Sequence, residues 1–220
     1  MRLQDYATIV FDCDGVILDS NAVKTEAFRI AAAPWGRDAA EALAAYHVAN
    51  GGISRYAKFT YFTEQIVPEL APGRGLPDVD DLLADFSAAV REGLSKCCIA
   101  EGLESLRSAT INSSWLLVSG GDQNELRQIF RERGLADYFD GGIFGSPDDK
   151  TLIFAREVEN GNISHPAVYL GDSKYDYASA SGIGLDFVFI SGWSEVEDWQ
   201  NFVSENALPW AARLSDLGAV

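Results

Sequence analysis

The hydrophobic positions of the chain follow three successive patterns. The first is a continuous apolar and β-branched run, Ala7-Thr8-Ile9-Val10-Phe11, that ends in Asp12. A run without polar alternation predicts a strand covered on both faces, as in a parallel sheet. The second pattern covers residues 20 to 96, where apolar positions recur at helical spacing and no strand pattern occurs. Helices are predicted over 21–33, 38–48, 54–67 and 78–96. Pro34-Trp35-Gly36 breaks the first from the second, and Asp38 with Glu41 three residues on gives the second a predicted N-cap. Asn50-Gly51-Gly52 stops that helix, since glycine takes the left-handed cap conformation cheaply. Residues 68 to 77 form a Pro/Gly-rich loop, and Asp78, Asp80 and Asp81 suit the positive end of the fourth helix.

The third pattern alternates strands with helices. A helix at 102–109 precedes a strand at 114–119, and a helix at 123–133 follows with Asp122 as N-cap and Glu125 as its capping-box partner. Strands at 142–145, 167–170 and 185–190 then alternate with helices at 149–159, 175–181 and about 195–203. Such alternation implies parallel β-α-β units. The fold class is therefore α/β: a Rossmann-like, doubly wound parallel sheet core over residues 1–19 and 97–220, with an inserted α-helical unit at 20–96.

Composition narrows the partners. The 220 residues suffice for one domain with a sizeable insert. With 33 acidic residues against 17 basic ones the formal charge is −16. That balance disfavours nucleic acid, whose affinity comes largely from basic residues, and anionic membrane surfaces. An anionic ligand would need local groups that overcome the global field. No apolar run reaches membrane-spanning length, and Asp5 interrupts before a signal-like apolar segment forms. Cys13, Cys97 and Cys98 have neither a disulfide framework nor zinc-site spacing, which suits reduced thiols in a cytoplasmic protein; the expected assembly, a monomer or homodimer, is not read from these residues.

The candidate chemistry lies at predicted strand ends, which a parallel sheet aligns along one edge, where ligands bind. The first strand ends in Asp12-Cys13-Asp14-Gly15, the second in Ser119-Gly120-Gly121. The third is followed by Gly145-Ser146-Pro147 with Lys150 beyond, and the fourth ends in Gly171-Asp172-Ser173 with Asp176 one turn on. Two carboxylates as close as Asp12 and Asp14 repel unless a cation, a proton or a basic ligand joins them. Each residue taken singly has an ordinary alternative: a solvated Lys150, a Ser119 that merely ends a strand, an Asp172 helix cap, a surface Asp176. Asp19 and Asp122 are assigned to such structural roles, a hinge and a helix cap.

Asp12-x-Asp14-Gly15-Val16, Ser119, Lys150 and Gly171-Asp172-Ser173-x-x-Asp176 resemble, in order, the four motifs of the haloacid dehalogenase-like hydrolase superfamily. The resemblance spans the whole chain, because the helical insert stands where that family carries its α-helical cap. It implies that Asp12 is the nucleophile and Asp14 the general acid/base. Asp12, Asp172 and the backbone carbonyl of Asp14 would hold Mg²⁺. Ser119, the Gly120 N–H and Lys150 would bind phosphate, and Asp176 would hold metal-bound water or Lys150. The acid at Asp14 resembles the phosphatase and phosphomutase branches, because the family's dehalogenases and phosphonatases lack it. The implied substrate is a small phosphorylated metabolite, a sugar phosphate or a phosphoglycolate-like acid.

Asn50-Gly51-Gly52-Ile53-Ser54-Arg55 is similar to the cap specificity loop of β-phosphoglucomutase-like members. Arg55 would then reach an anionic group of the substrate, with Asn50, Tyr56 and Lys58 as further candidates. The mutases carry a histidine where this chain has Lys24, a departure that speaks against mutase activity while leaving Lys24 as a candidate substrate contact. A phosphatase is the leading reading, a phosphomutase the alternative, and a non-catalytic binding member of the fold the third. His47 and His165 lack a nucleophile-elbow context, so a Ser/Cys–His hydrolase is not supported; His47 is expected to be structural or exposed.

Overall fold

In the computed structural model, which describes residues 2–219, six strands form one parallel sheet in the order β3-β2-β1-β4-β5-β6. The strands are β1 (Thr8–Phe11), β2 (Ser114–Asp122), β3 (Gly142–Ser146), β4 (Ala167–Gly171), β5 (Asp186–Ile190) and β6 (Trp210–Ala211). β1 is central: Thr8 to Phe11 pair with Ser114 to Leu117 on one side and with Ala167 to Leu170 on the other. That position explains its unbroken apolar sequence, because both faces and both edges are covered. The chain winds outward from β1 to β3, then returns to the other side of β1 as β4. The switch point of the doubly wound sheet thus falls between β1 and β4.

Successive residues along each strand feed opposite cores. Ile9, Phe11, Trp115, Leu117, Val168 and Leu170 pack on one face, and Val10, Leu116, Val118 and Tyr169 on the other. Helices α6 (Leu103–Ala109), α7 (Gln123–Glu132), α8 (Lys150–Glu159), α9 (Lys174–Ser181) and α10 (Trp199–Glu205) belong to this core.

The insert holds α1 (Asn21–Ala32), α2 (Arg37–Ala49), α3 (Arg55–Tyr61), α4 (Val67–Leu70) and α5 (Val79–Lys96). Its centre is aromatic: the Phe28 ring lies 5.2 Å from Phe59 and 4.4 Å from Phe86. Val16, Ile17 and Leu18 join this cluster to one face of the sheet, so the two cores are continuous. α1 packs closely on α5 at Gly93, where a Cβ would fall 2.2 Å from Val23 Cγ1.

Several local expectations are corrected. The N-cap of α2 is Gly36, not Asp38, which sits inside the first turn. The left-handed residue after α2 is Gly52 (φ +86), two positions past the C-cap Asn50. The helix after Ser54 runs on to Leu70 through a π-helical turn at Phe62–Ile66. β2 extends to Asp122, and the last helix begins at Trp199. β6 has only two residues, too few for any periodicity to reveal.

Trp115 is fully buried and donates its indole N–H to Thr110 Oγ1 at 3.0 Å. Trp115→Ala is expected to destabilise the protein by roughly 3–5 kcal/mol, measured by urea unfolding.

Candidate active site

The loop after β1 and the ends of β2, β3 and β4 meet at the switch point. Lys150, the first residue of α8, reaches back under the sheet edge, and Asp149 caps that helix by accepting from the Leu152 N–H. The Lys150 ammonium donates to Asp12 Oδ1 at 2.8 Å, to Asp176 Oδ1 at 2.5 Å and to Tyr169 Oη at 2.9 Å. Lys150 is 1% exposed and Asp176 is 0% exposed. Burial alone would lower the lysine's pKa; the Asp12 and Asp176 carboxylates more than reverse this and hold it well above its ordinary value. Asp176 Oδ2 accepts from the Ser173 hydroxyl and N–H, completing the capping box that starts α9.

Asp12, Asp172 and Asp176 bring carboxylate oxygens within 4.8 Å of one another. Burial pushes Asp12 up to about 7, with Lys150 opposing and Asp176 and Asp14 adding to the rise. Burial, then Asp176 and Asp12, push Asp172 well above the carboxylate range. One ammonium does not balance this cluster. The donor set is all oxygen, which fits Mg²⁺. Both Asp176 oxygens are already taken by Lys150, Tyr169 and Ser173, whereas Lys150 takes only Oδ1 of Asp12 and Asn21 takes only Oδ2 of Asp172 at 2.9 Å. Asp12 and Asp172 are therefore the carboxylates left to hold a cation. Gly15 (φ +75) lets the loop pass this close, because a Cβ there would lie 2.0 Å from Asp172 Oδ2.

Asp14 turns toward the insert. It accepts from the Ser20 hydroxyl at 2.5 Å and pairs with the ammonium of Lys24. Burial raises its pKa, but Lys24, Ser20 and Lys150 together outweigh burial and leave it lowered. Ser119 Oγ donates to Asp14 Oδ2 at 3.5 Å and accepts from the Gly121 N–H at 3.0 Å. Gly120 carries no side chain because the insert descends onto it: a Cβ would be 2.4 Å from the carbonyl oxygen of Gly52. The Asn50–Ile53 loop thus lies against this end of the site and lines it from above.

A cavity of about 890 Å³ lies between insert and core, within the size range of small-molecule sites. Asp12, Asp14, Gly120 and Asp172 line it from below, and Lys24, Asn50, Arg55 and Lys58 from above. Arg55 does not point freely into it. Its guanidinium is bidentate to Glu125 of α7, at 2.9 and 2.5 Å, and also donates to Ser87. Glu125 is therefore not the capping-box partner of Asp122, which caps α7 alone through the Asn124 and Glu125 N–H groups and also accepts from Tyr56 Oη. Asn50 donates to the Tyr46 carbonyl. His47 is buried against Phe28, not exposed.

The family model for haloacid dehalogenase-like hydrolases matches residues 6–184, most of the chain. The chain belongs to that family. A phosphorylated carbohydrates phosphatase of Thermotoga maritima is 24% identical over 196 residues, 82% of this chain and 83% of that protein. Among solved structures, a predicted phosphatase of Clostridium acetobutylicum superposes with a TM-score of 0.74 at 18% identity, over 97% of each chain. A predicted phosphoglycolate phosphatase of Haemophilus somnus does so with a TM-score of 0.74 at 14% identity, over 96% of each.

As a haloacid dehalogenase-like hydrolase, the chain adds residues to its site that its motifs did not announce. Tyr169 carried a signal, since a hydroxyl in the middle of a fully buried strand needs a partner; here it bonds Lys150 and Asp176. Asn21, which bridges Asp172 and the Trp193 carbonyl, and Glu125 carried none.

Two outcomes test this geometry. Gly120→Ala is expected to push the Gly52 loop off the core and to cost more in catalytic turnover than in urea stability. The Asp12 carboxyl, raised in the fold above its unfolded value, stabilises the metal-free protein at low pH, and that contribution is lost as pH rises through about 7. A cation competes with that proton, so the rise in melting temperature on adding Mg²⁺ should be larger at about pH 8 than at about pH 5.5. A shift independent of pH would contradict the carboxylate cluster as the cation site.

Proposed function

We propose that the protein is a Mg²⁺-dependent phosphatase that hydrolyses a phosphomonoester of a small metabolite, a phosphorylated sugar or a phosphoglycolate-like acid, through an aspartyl-phosphate at Asp12. The observation that carries this reading is Asp14: a carboxylate two residues after the nucleophile, lining the same cavity and within reach of Ser119. It supplies the proton that an alkoxide leaving group needs. The names of the Thermotoga and Haemophilus relatives point to the same class of substrate.

Asp12 and Asp172, with the Asp14 carbonyl, would hold Mg²⁺, which when bound offsets the charge of carboxylates and phosphate brought together. The chain's own residues do the rest. Lys150 neutralises Asp12 and a phosphoryl oxygen, while the Ser119 hydroxyl and the Gly120 N–H donate to another. One Asp12 oxygen attacks phosphorus, and the other is the one that would hold Mg²⁺. The bond from phosphorus to the alcohol oxygen breaks, and Asp14 gives that oxygen its proton. Asp14, now a carboxylate, takes a proton from water whose oxygen attacks phosphorus. The acyl-phosphate bond breaks, phosphate leaves and Asp12 is restored. Lys24 holds Asp14 charged in this structure, so the acid step requires Lys24 to leave that carboxylate as the substrate oxygen arrives.

A phosphomutase would need Arg55 for the far phosphate of a bisphosphate. Glu125 already holds that guanidinium, and Lys24 stands where the mutases carry histidine, so the phosphatase reading is preferred. Asp12→Asn is expected to reduce phosphate release from a panel of phosphomonoesters by on the order of 10⁴-fold or more. Asp14→Asn should cost roughly 10²–10⁴-fold on alkyl phosphates and much less on p-nitrophenyl phosphate, whose leaving group needs no proton. An Asp12→Asn protein as active as wild type would overturn the assignment.

A further inference from the structure

The wall of the cavity contributed by the insert is cationic in a strongly acidic protein, and its charges are unequally compensated. Among the described residues, the cavity-lining cations Lys24, Arg29, Arg55 and Lys174 each pair with a carboxylate: Asp14, Glu41, Glu125 and Asp198. Lys58 pairs with none. Its ammonium donates to His47 Nδ1 at 2.6 Å and lies 5.5 Å from the Phe28 ring centroid, and the residue is 2% exposed. Burial pushes His47 down to about 2, with Lys58 and Lys24 adding to the fall, so the ring is neutral. With Nδ1 accepting from Lys58, Nε2 carries the proton, and that buried nitrogen has no hydrogen-bond partner. The groups around Lys58 are Lys24 on α1, His47 on α2, Asp14 and Lys150 of the core and Glu195 beyond β5; none of the acids touches it. Burial, first of all, lowers Lys58 to about 7.

An uncompensated buried cation beside an unsatisfied donor is costly for folding alone. The cost is recovered when an anion enters. The cavity already provides for the scissile phosphate at its lower end, through Lys150, Ser119 and Gly120, and Arg55 is held by Glu125. We propose that Lys58, oriented by His47, is the specificity residue of the insert and binds a second anionic group, a carboxylate or a second phosphoryl group, on the carbon skeleton of the phosphoester. This inference rests on the phosphatase reading for the substrate's first phosphate, and it makes the substrate a skeleton bearing two anionic groups, such as a phosphorylated acid or a bisphosphate.

The test uses matched pairs that differ in the second anion: glycerol 3-phosphate against 3-phosphoglycerate for a carboxylate, and fructose 6-phosphate against fructose 1,6-bisphosphate for a phosphate. The wild-type protein with Mg²⁺ is expected to favour the more anionic member of at least one pair in kcat/KM by roughly 100-fold. Lys58→Met should collapse that ratio to near one, and Lys58→Arg should retain most of it. Because Lys58→Met removes an unpaired buried charge, its urea midpoint should equal or exceed the wild-type value. A ratio unchanged in Lys58→Met, or a wild-type preference for the less anionic member of both pairs, would overturn the proposal. Binding of 3-phosphonopropionate against propylphosphonate, measured by calorimetry on the wild-type protein and Lys58→Met, reads the subsite without turnover. If no phosphoester is hydrolysed but the carboxylate analogue still binds tighter and loses that advantage in Lys58→Met, the phosphatase reading fails and the subsite stands. Turnover with no preference in either measurement sinks the subsite alone.

Discussion

The ammonium of Lys150 is the constraint on which the site depends. It sits in a dry position beneath the sheet edge and joins Asp12, from the end of β1, to Asp176, from the first turn of α9. Without a cation there, Asp12, Asp172 and Asp176 could not share so small a volume, since like charges in a poor solvent repel strongly. Parallel topology supplies the convergence: β1 and β4 are neighbours on either side of the switch point, so their acidic ends fall together. Each carboxylate is then separated in role by its neighbours. Asp176 is saturated with donors and serves the scaffold. Asp12 and Asp172 retain oxygens for a cation, and Asp14 faces the insert.

Charge also fastens the insert to the core. Lys24 crosses to Asp14, Arg55 to Glu125 and Tyr56 to Asp122. The contact is kept close by glycines, with the Gly52 carbonyl set where a Gly120 side chain would be. Beside the apolar cluster that runs from the insert into the sheet core, these ion pairs around the cavity are contacts that an anionic ligand can compete for. Arg55 and Lys58, three residues apart and so about one helical turn along α3, divide the work: the first is bound to the core and the second is left facing the cavity.

The sequence made the frame of this site legible because its signals are local. An unbroken apolar run marks a central strand, alternation of strands and helices marks parallel pairing, and Asp12, Asp14 and Asp172 follow strand ends, with Lys150 opening the helix after β3, whatever the details of packing. The insert residues were less legible because their meaning lies in contacts across the chain. Glu125 looked like a capping-box acid and turned instead to Arg55, 70 positions away. Asp38 matched an N-cap pattern, but Gly36 had already started the helix. Lys58 is a candidate only through its nearness to the cap loop that resembles the mutases' own; its burial against His47 and Phe28 emerges only when α1, α2 and α3 assemble.

The account turns on Asp12 as the atom donor to phosphorus, and direct capture of the covalent intermediate tests it. The protein would be mixed with a turned-over phosphomonoester and Mg²⁺, quenched in acid and treated with borohydride, which reduces an acyl phosphate to an alcohol. Mass spectrometry of the peptide spanning Asp12 and Asp14 is expected to find homoserine at position 12 alone. Homoserine at Asp14 or Asp172, or phosphate release with no modified carboxylate, would contradict it.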